Sequence, residues 1–357
     1  MEAETRDCLR FYSGKRVFVT GHTGFKGAWL CAVLRFAGAA VTGFSLPPEG
    51  EDSLFSILGL ERDMRSFLGD IRDGDALRAA FDVSDPELVF HLAAQPIVRE
   101  SYRDPAGTCG TNVMGTVNLL ECIRRSEHAR SVVNVTTDKV YRNREWVWGY
   151  RETDELGGFD PYASSKACSE LLTECYRNCF LAQRGVGVST ARAGNVIGGG
   201  DFGKERIIPD CVRAVRAGVP VKLRSPRSVR PYQHVLEALH AYLLIGARQY
   251  DDPALAGCYN VGPDRSGCTS TGELAELFCR AWGTGAAWEG GDADESLHEA
   301  ELLCLDSSRI RETLGWKPCR SIGETVADAV DWTRTWLASG DVSALTERQI
   351  RDFPWSI

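Results

Sequence analysis

The sequence lacks the features of a membrane, secreted or nucleic-acid-binding protein. No apolar run approaches the roughly eighteen residues that a membrane span requires, and the first thirty residues lack a signal peptide's charged-then-apolar pattern. A cytoplasmic location is the expectation. There is no basic excess either: 41 Lys and Arg against 49 Asp and Glu leave a net charge of -8, which gives no electrostatic footing for nucleic acid. An anionic small ligand therefore needs a local positive pocket. The thirteen cysteines are scattered, odd in number and without a C-x-x-C pair, so neither a disulfide framework nor a thiolate metal site finds its spacing. Cys175 and Cys179 lie one helical turn apart, but no clustered His or Cys completes a ligand set. Reduced cysteines filling small apolar sites, and no metal, are expected.

What is present describes a globular enzyme-sized chain. At 357 residues it exceeds the usual single core, so one large or two interdependent domains are expected. The segment KRVFVTGHTGFKGAWLCAVLRFAGAAVTGFSL holds an apolar strand at Val17 to Val19, a glycine-punctuated turn, a helical stretch, Gly38, and a second strand at Val41 to Phe44. That is a β-α-β unit with parallel strands and a right-handed crossover. Three more apolar runs, LVFHLAA, SVVNVTT and GVSTARA, each lead into a polar loop or helix. The fold class is α/β: a doubly wound, mostly parallel Rossmann sheet over residues 13–195. After GNVIGGGD the elements shorten, with Gly and Pro at Gly218 to Pro220, Pro226, Pro231, Gly262-Pro263 and Trp316 to Pro318. A smaller α/β substrate domain over 196–350 follows, with GCYNVG (257–262) returning as a strand of the first domain.

TGHTGFKG places Gly21, Gly24 and Gly27 three residues apart, directly after a strand and at the opening of a helix. Glycine permits a tight turn and close backbone approach to a pyrophosphate, and a helix N-terminus offers free N–H groups. A dinucleotide cofactor is the reading; a plain strand-to-helix turn is the alternative. The acid that often ends the second strand of an NAD site is missing, since the chain reads Phe44-Ser45-Leu46, and no arginine stands there to favour a 2′-phosphate. That position leaves NAD and NADP open. GDIRD supplies Asp70, which suits either an adenine amino group or an ordinary turn.

PYASSKACSELL sets Tyr162 and Lys166 four apart on one helix face, entered after Pro161. A nearby ammonium lowers a phenol's pKa from about 10, which suits removal of a hydroxyl proton while hydride leaves the adjacent carbon for nicotinamide. Y-x-x-x-K alone is often structural; behind the glycine turn it reads as chemistry. Asp138 and Lys139, in NVTTDKVY, are by themselves either a solvated ion pair at a strand end or a catalytic acid and base.

These motifs together resemble the extended short-chain dehydrogenase/reductase superfamily, through TGHTGFKG, GDIRD, VFHLAAQPIVRESYRDP, TNVMGT, NVTTDKVY, DPYASSK, ARAGNVIGGGD and RPYQHV. GHTGFKGAWL, TTDKVYRNREWVWGYRE and SSKACSE are similar to the CDP-glucose 4,6-dehydratase group within it. The resemblance implies bound NAD, C4 oxidation of a nucleotide-diphosphate sugar, elimination of water across C5 and C6, and return of the hydride to C6. Thr137 would hydrogen-bond the C4 oxygen beside Tyr162, protonated Asp138 would be the acid to the leaving hydroxyl, and neutral Lys139 the base at C5, its pKa lowered further by a Lys166 cation. Many dehydratases of this fold carry glutamate where Lys139 stands.

By the same resemblance Thr23, Phe25, Ile71, Leu92, Ala93, Ala94, Thr111 and Val196 join the glycines, Asp70, Tyr162 and Lys166 around the cofactor. Asn112 bridges backbone and water nearby. Ser101, Arg192, Asn195, Lys204, Arg206 and Arg230 face the substrate, the arginines through their fit to a diphosphate. Each could instead be ordinary helix, loop or surface structure. The stretches GTVNLLECIRR and SELLTECYRNCF read as core helices, which relatives pair across a homodimer interface; a tetramer stays open. An epimerase or dehydratase for another nucleotide sugar is the nearest alternative. A non-catalytic cofactor-binding regulator is the more distant one, and the intact catalytic residues count against it.

Overall fold

Val17, Phe18 and Val19 form an unbroken apolar run because the strand they occupy is covered on both faces. The structure, a computed structural model, describes residues 8–48, 50, 52–263, 265–290 and 301–356. In it the run is the core of β1 (Arg16–Thr20), followed along the chain by β2 (Ala40–Ser45), β3 (Arg65–Leu68), β4 (Leu88–His91), β5 (Ser131–Val135), β6 (Gly187–Ala193) and β7 (Cys258–Val261). The helices that frame the site are α1 (Phe25–Phe36), α2 (Gly74–Ser84), α3 (Gly115–Arg125), α4 (Pro161–Tyr176) and α5 (Val235–Asp251).

Side chains alternate between two layers, as the period of a strand requires. Val17, Val19, Leu88, Phe90, Val133, Val135, Ala191 and Ala193 point into a core shared with α1 and α5. Phe18, Val89, Val132 and Val188 point the other way, against Leu77 and Phe81 of α2 and Leu119 and Ile123 of α3. Each fully buried large apolar side chain contributes about 1.5–3 kcal/mol, so strands apolar at every position are stable only when helices cover both sides.

The seven strands lie in the order β7-β6-β5-β4-β1-β2-β3, all neighbours parallel. The doubly wound sheet expected from the sequence is present, and GCYNVG returns as β7 beside β6. The order reverses between β1 and β4, which opens a crevice at the carboxyl ends of the strands. Thr20 is in register with His91, and His91 with Asn134. The glycine turn after β1, Leu92 to Ala94 after β4, and Thr136 to Lys139 after β5 therefore leave the sheet side by side.

A second, smaller core gathers Ile208, Cys211, Leu223, Leu274, Phe278, Val326 and Val330. Its helices are Ile207–Ala217, Thr271–Trp282 and Ile322–Leu337, with short strands such as Val221–Leu223 beside Trp288–Gly290. The chain does not divide at one point near 195. Helix α5, β7 and the helix Val342–Asp352 all return to the first core, which holds Val342, Leu345 and Ile350. The reason is visible in α5: fourteen of its seventeen residues are buried, and a helix apolar nearly all round has to lie inside a core. No helix among the described residues is long and apolar enough to cross a membrane.

Candidate active site

The glycine turn is shaped by two contacts and open at a third position. Gly21 has φ +75°, and a Cβ there would stand 2.7 Å from the Ala93 nitrogen; one on Gly27 would stand 2.0 Å from the Gly21 carbonyl oxygen. Both glycines are required by close backbone packing. Gly24 is different: it is exposed, and its nearest neighbour to an added Cβ is 3.5 Å away. It caps α1 without any side-chain hydrogen bond, so the N–H groups of the first turn stay free for an anion. The cradle fits a dinucleotide's pyrophosphate. Phe25 packs toward Gly198, and the Thr23 hydroxyl is engaged within the protein by Ser45 at 2.8 Å and the Leu46 carbonyl at 2.9 Å.

Neighbouring walls are held by a buried polar chain. The Thr20 hydroxyl accepts from the Leu92 and Ala93 N–H groups, both at 3.2 Å, and meets His91 Nδ1 at 2.7 Å. His91 Nε2 continues to Thr116 at 3.0 Å, and Thr116 to Ser169 of α4 at 3.0 Å. Burial, then the Lys166 charge, pulls His91 down to about 3, so the ring is neutral and joins β1, β4, α3 and α4 as a hydrogen-bonding strut. Asn112 bridges backbone as expected, accepting from Gln95 N–H at 2.8 Å and donating to the Ser165 hydroxyl at 2.8 Å. It and the partly buried Thr111 lie in a wide five-residue turn, Gly110–Met114, a distortion often found at functional sites.

Helix α4 begins where three devices agree: Pro161 in the first turn, Asp160 accepting from Ala163 N–H at 2.8 Å, and the Ser101 hydroxyl accepting from Tyr162 N–H at 3.1 Å. Ser101 is fully buried and also donates to the Val98 carbonyl. Its hydroxyl thus ties the start of α4, at Tyr162, to the 98–103 helix. Tyr162 is buried beside Thr137, whose hydroxyl donates to Asp138 Oδ1 at 3.0 Å and accepts from Lys139 N–H at 3.3 Å. Burial, with the Asp138 and Asp160 charges, pushes the phenol up to about 12, while the Thr137 hydrogen bond and the Arg206 charge pull it down. Lys166 lies one turn further along the same helix, buried like Tyr162. Its Nζ donates to the Val135 carbonyl at 3.1 Å, and burial, with repulsion from Lys26, lowers it to about 7.

Asp138 is 1% exposed, and its Oδ2 has no hydrogen-bond partner. Lys139 is half-buried, and the two form no ion pair among the described residues. The plain reading of the pair as a solvated salt bridge is excluded by both facts. Lys26, which the sequence reading passed over, enters here. Burial and Arg206 lower its ammonium to about 8, while Asp138 and Asp201 oppose them. The available signal was a lysine between Gly24 and Gly27 of the motif.

Arg192 and Asp70 are both engaged within the protein. Arg192 is buried, with Nη2 on Glu170 at 3.0 Å and Nη1 on the Tyr141 hydroxyl at 2.9 Å and the Glu152 carbonyl at 3.1 Å. Its fork ties β6 to α4. Asp70 forms a turn, accepting from Arg72 N–H at 2.9 Å and from its guanidinium; those bonds hold the carboxyl below its usual range. Ile71 packs beneath Gly115. Arg206 lies in the site, paired with Asp201 at 2.9 Å. Arg230 is buried in the short strand facing Thr269, and its charge, like that of Asp138, reaches the Cys304 thiol. Asn195 and Val196 lead out of β6 toward Gln233, and Lys204 is exposed on the 198–206 loop.

Comparison with known proteins follows this geometry. The profile of the family described as GDP-mannose 4,6 dehydratase matches residues 18–329. A CDP-glucose 4,6-dehydratase of Salmonella typhimurium is 45% identical over 349 residues, covering 96% of this chain and 97% of the relative. A dTDP-glucose 4,6-dehydratase of Xanthomonas campestris is 26% identical, covering 89% and 94%. Among solved structures, UDP-glucose 4-epimerase of Thermotoga maritima with UDP-glucose superposes with a TM-score of 0.78 at 24% identity, covering 90% of this chain and 99% of that one. The dTDP-glucose 4,6-dehydratase of Bacillus anthracis in complex with NAD gives 0.74 at 20% identity, covering 89% and 96%; at these identities the likeness is one of fold. With a profile match over most of its length and a relative nearly half identical throughout, the chain belongs to the GDP-mannose 4,6 dehydratase family.

Proposed function

We propose that this protein is an NAD-dependent CDP-glucose 4,6-dehydratase, forming CDP-4-keto-6-deoxyglucose. The observation that carries the reading is the buried, unpartnered carboxylate oxygen of Asp138, placed with Thr137 and Tyr162 at the end of β5. A redox or epimerase site has no use for an acid there, whereas elimination of water requires one. The 45% identity to a protein named for this reaction supports the same substrate.

Gly21, Gly24 and Gly27 with the first turn of α1 would hold the cofactor's pyrophosphate, and Leu92, Ala93 and Thr111 would flank it. When bound, NAD supplies the nicotinamide that takes the C4 hydrogen with its electron pair and later returns it to C6. Tyr162 receives the proton of the C4 hydroxyl while Thr137 holds that oxygen. The resulting ketone acidifies C5, whose proton passes to Lys139; Asp138 gives its proton to the C6 hydroxyl, which departs as water and leaves a C5–C6 double bond. Lys139 then returns a proton to C5. Lys166, at about 7, is available in both charge states at neutral pH beside this centre.

We place the enzyme in the cytoplasm, a location supported by thirteen free cysteines. We also propose a homodimer, supported by Met114 just before α3, Leu171 on α4 and Phe180 just beyond α4, large apolar side chains left exposed. The substrate reading is tested by incubating the purified protein with CDP-, dTDP-, GDP- and UDP-glucose and following the alkali-induced absorbance of a 4-keto-6-deoxy product. Turnover of CDP-glucose alone is expected. Turnover of another sugar nucleotide with none of CDP-glucose overturns the substrate assignment.

A further inference from the structure

Lys26 occupies the first turn of α1, in the string TGFKG, at the glycine turn read as a dinucleotide cradle. Packing fixes the residues on either side of it. The Phe25 ring lies where a Cβ on Gly198 would meet it at 3.2 Å, and the Trp29 indole donates to the Gly199 carbonyl at 2.9 Å. Lys26 is thus held beside the 198–206 loop, and its ammonium shares one charge cluster with Asp138, Lys166, Asp201 and Arg206. Within that cluster Arg206 and Asp201 pair with each other. Lys26 makes no hydrogen bond or ion pair among the described residues.

The Tyr162 phenol feels the Asp138 and Arg206 charges that Lys26 also feels. The reacting carbon, whose hydroxyl Tyr162 deprotonates, hands its hydrogen to the nicotinamide, so that ring belongs in the same neighbourhood. The ring is a cation when oxidised and neutral once it has accepted two electrons and the C4 hydrogen. A fixed ammonium nearby acts on the first state and not on the second.

We propose that Lys26 is a positioning residue for the redox couple: its ammonium disfavours the cationic, oxidised nicotinamide and so biases the bound cofactor toward its reduced form. The inference rests on the assignment of NAD as cofactor. Coulomb repulsion between two unit charges at such range, at the effective dielectric of a protein site and reduced for partial exposure, amounts to about tenfold in relative affinity.

The test is equilibrium titration of the full-length protein with NAD and with NADH, read by fluorescence and without turnover. The ratio of dissociation constants, NAD over NADH, is expected to fall about tenfold in Lys26→Met and to stay within about twofold in Lys26→Arg. Lys26→Gln makes the same comparison if the methionine variant does not fold. An unchanged ratio in the neutral variants overturns the inference. So does an equal weakening of both forms, which marks Lys26 as a pyrophosphate contact. If the unsubstituted protein binds neither form, the NAD assignment itself falls; if it binds both and the ratio ignores Lys26, only this inference does.

Discussion

Replacing Arg192 with methionine distinguishes an arginine that ties the fold from one that binds a diphosphate. The guanidinium is 4% exposed and meets Glu170, Tyr141 and Glu152 at 2.9–3.1 Å. Glu170 is itself 3% exposed and also accepts from the hydroxyls of Thr136 and Thr190. Removing one partner of a buried ion pair costs about 3–5 kcal/mol, because the other charge is left uncompensated. The two threonine hydroxyls soften that penalty, so the lower end, about 3 kcal/mol, is expected. Equilibrium unfolding in denaturant measures it. The double variant Arg192→Met with Glu170→Leu removes both charges and should recover more than half of the loss, since an apolar pair of similar volume is often as stable as the ion pair it replaces. In folded Arg192→Met protein the KM for CDP-glucose should change less than about threefold. Stability within about 1 kcal/mol of the unsubstituted protein, with KM raised about tenfold or more, refutes the structural role and restores the diphosphate reading.

Lys139→Ala should lower kcat by about 10²–10⁴ and abolish exchange of the C5 proton with solvent while NADH accumulates; unaltered exchange refutes the base role. Tyr162→Phe should instead suppress the first oxidation, so no NADH accumulates under single-turnover conditions. Gly21→Ala places a methyl 2.7 Å from the Ala93 nitrogen at a φ of +75°, and a loss of more than about 1–2 kcal/mol together with loss of NAD-dependent thermal stabilisation is expected; an unchanged melting temperature with and without NAD counts against the cradle. Burial lowers His91 and His234 to about 3 and His22 to about 4, from an ordinary 6.5. Between those values the unfolded chain binds protons that the folded one does not, so stability is full above pH 6.5 and falls as pH drops toward 4, each ring adding up to about 1.4 kcal/mol per pH unit. Denaturant unfolding at a series of pH values reads this slope, and His91→Gln should make it shallower; an identical slope removes His91 from the account.

Features written locally were legible in the sequence. An apolar run of three followed by glycines at fixed spacing specifies a strand, a turn and a helix start within a dozen residues, and β1, Gly21 and α1 are where that pattern puts them. Four such runs in order define the parallel sheet, and its crevice then collects the ends of β1, β4 and β5. Pairings over long separations were not legible. Arg192 reads as an anion ligand until Glu170, 22 residues earlier on another element, is seen to hold it. Ser101, expected to face the substrate, shows its link to the start of α4 only when Tyr162 N–H, 61 residues on, is seen against its hydroxyl. The return of α5 was hidden for the same reason: the apolar face of the first core is completed by this helix, which the chain reaches only after building part of the second.

Asp138 and Lys139 are adjacent in the chain and opposite in charge, yet they do not pair, and the backbone explains why. With Thr137 as cap, residues Asp138–Val140 form one turn of 3₁₀ helix. At three residues per turn, consecutive side chains diverge by about 120°. Asp138 is turned inward, where Thr137 satisfies one oxygen and nothing satisfies the other, while Lys139 remains half-buried. An unmet buried acceptor costs about 1–3 kcal/mol. The cost is explained if the vacant lone pairs belong to a reaction, and the same turn keeps the base from pairing with the acid beside it. A chain selected only to bind a cofactor would have no reason to retain that arrangement.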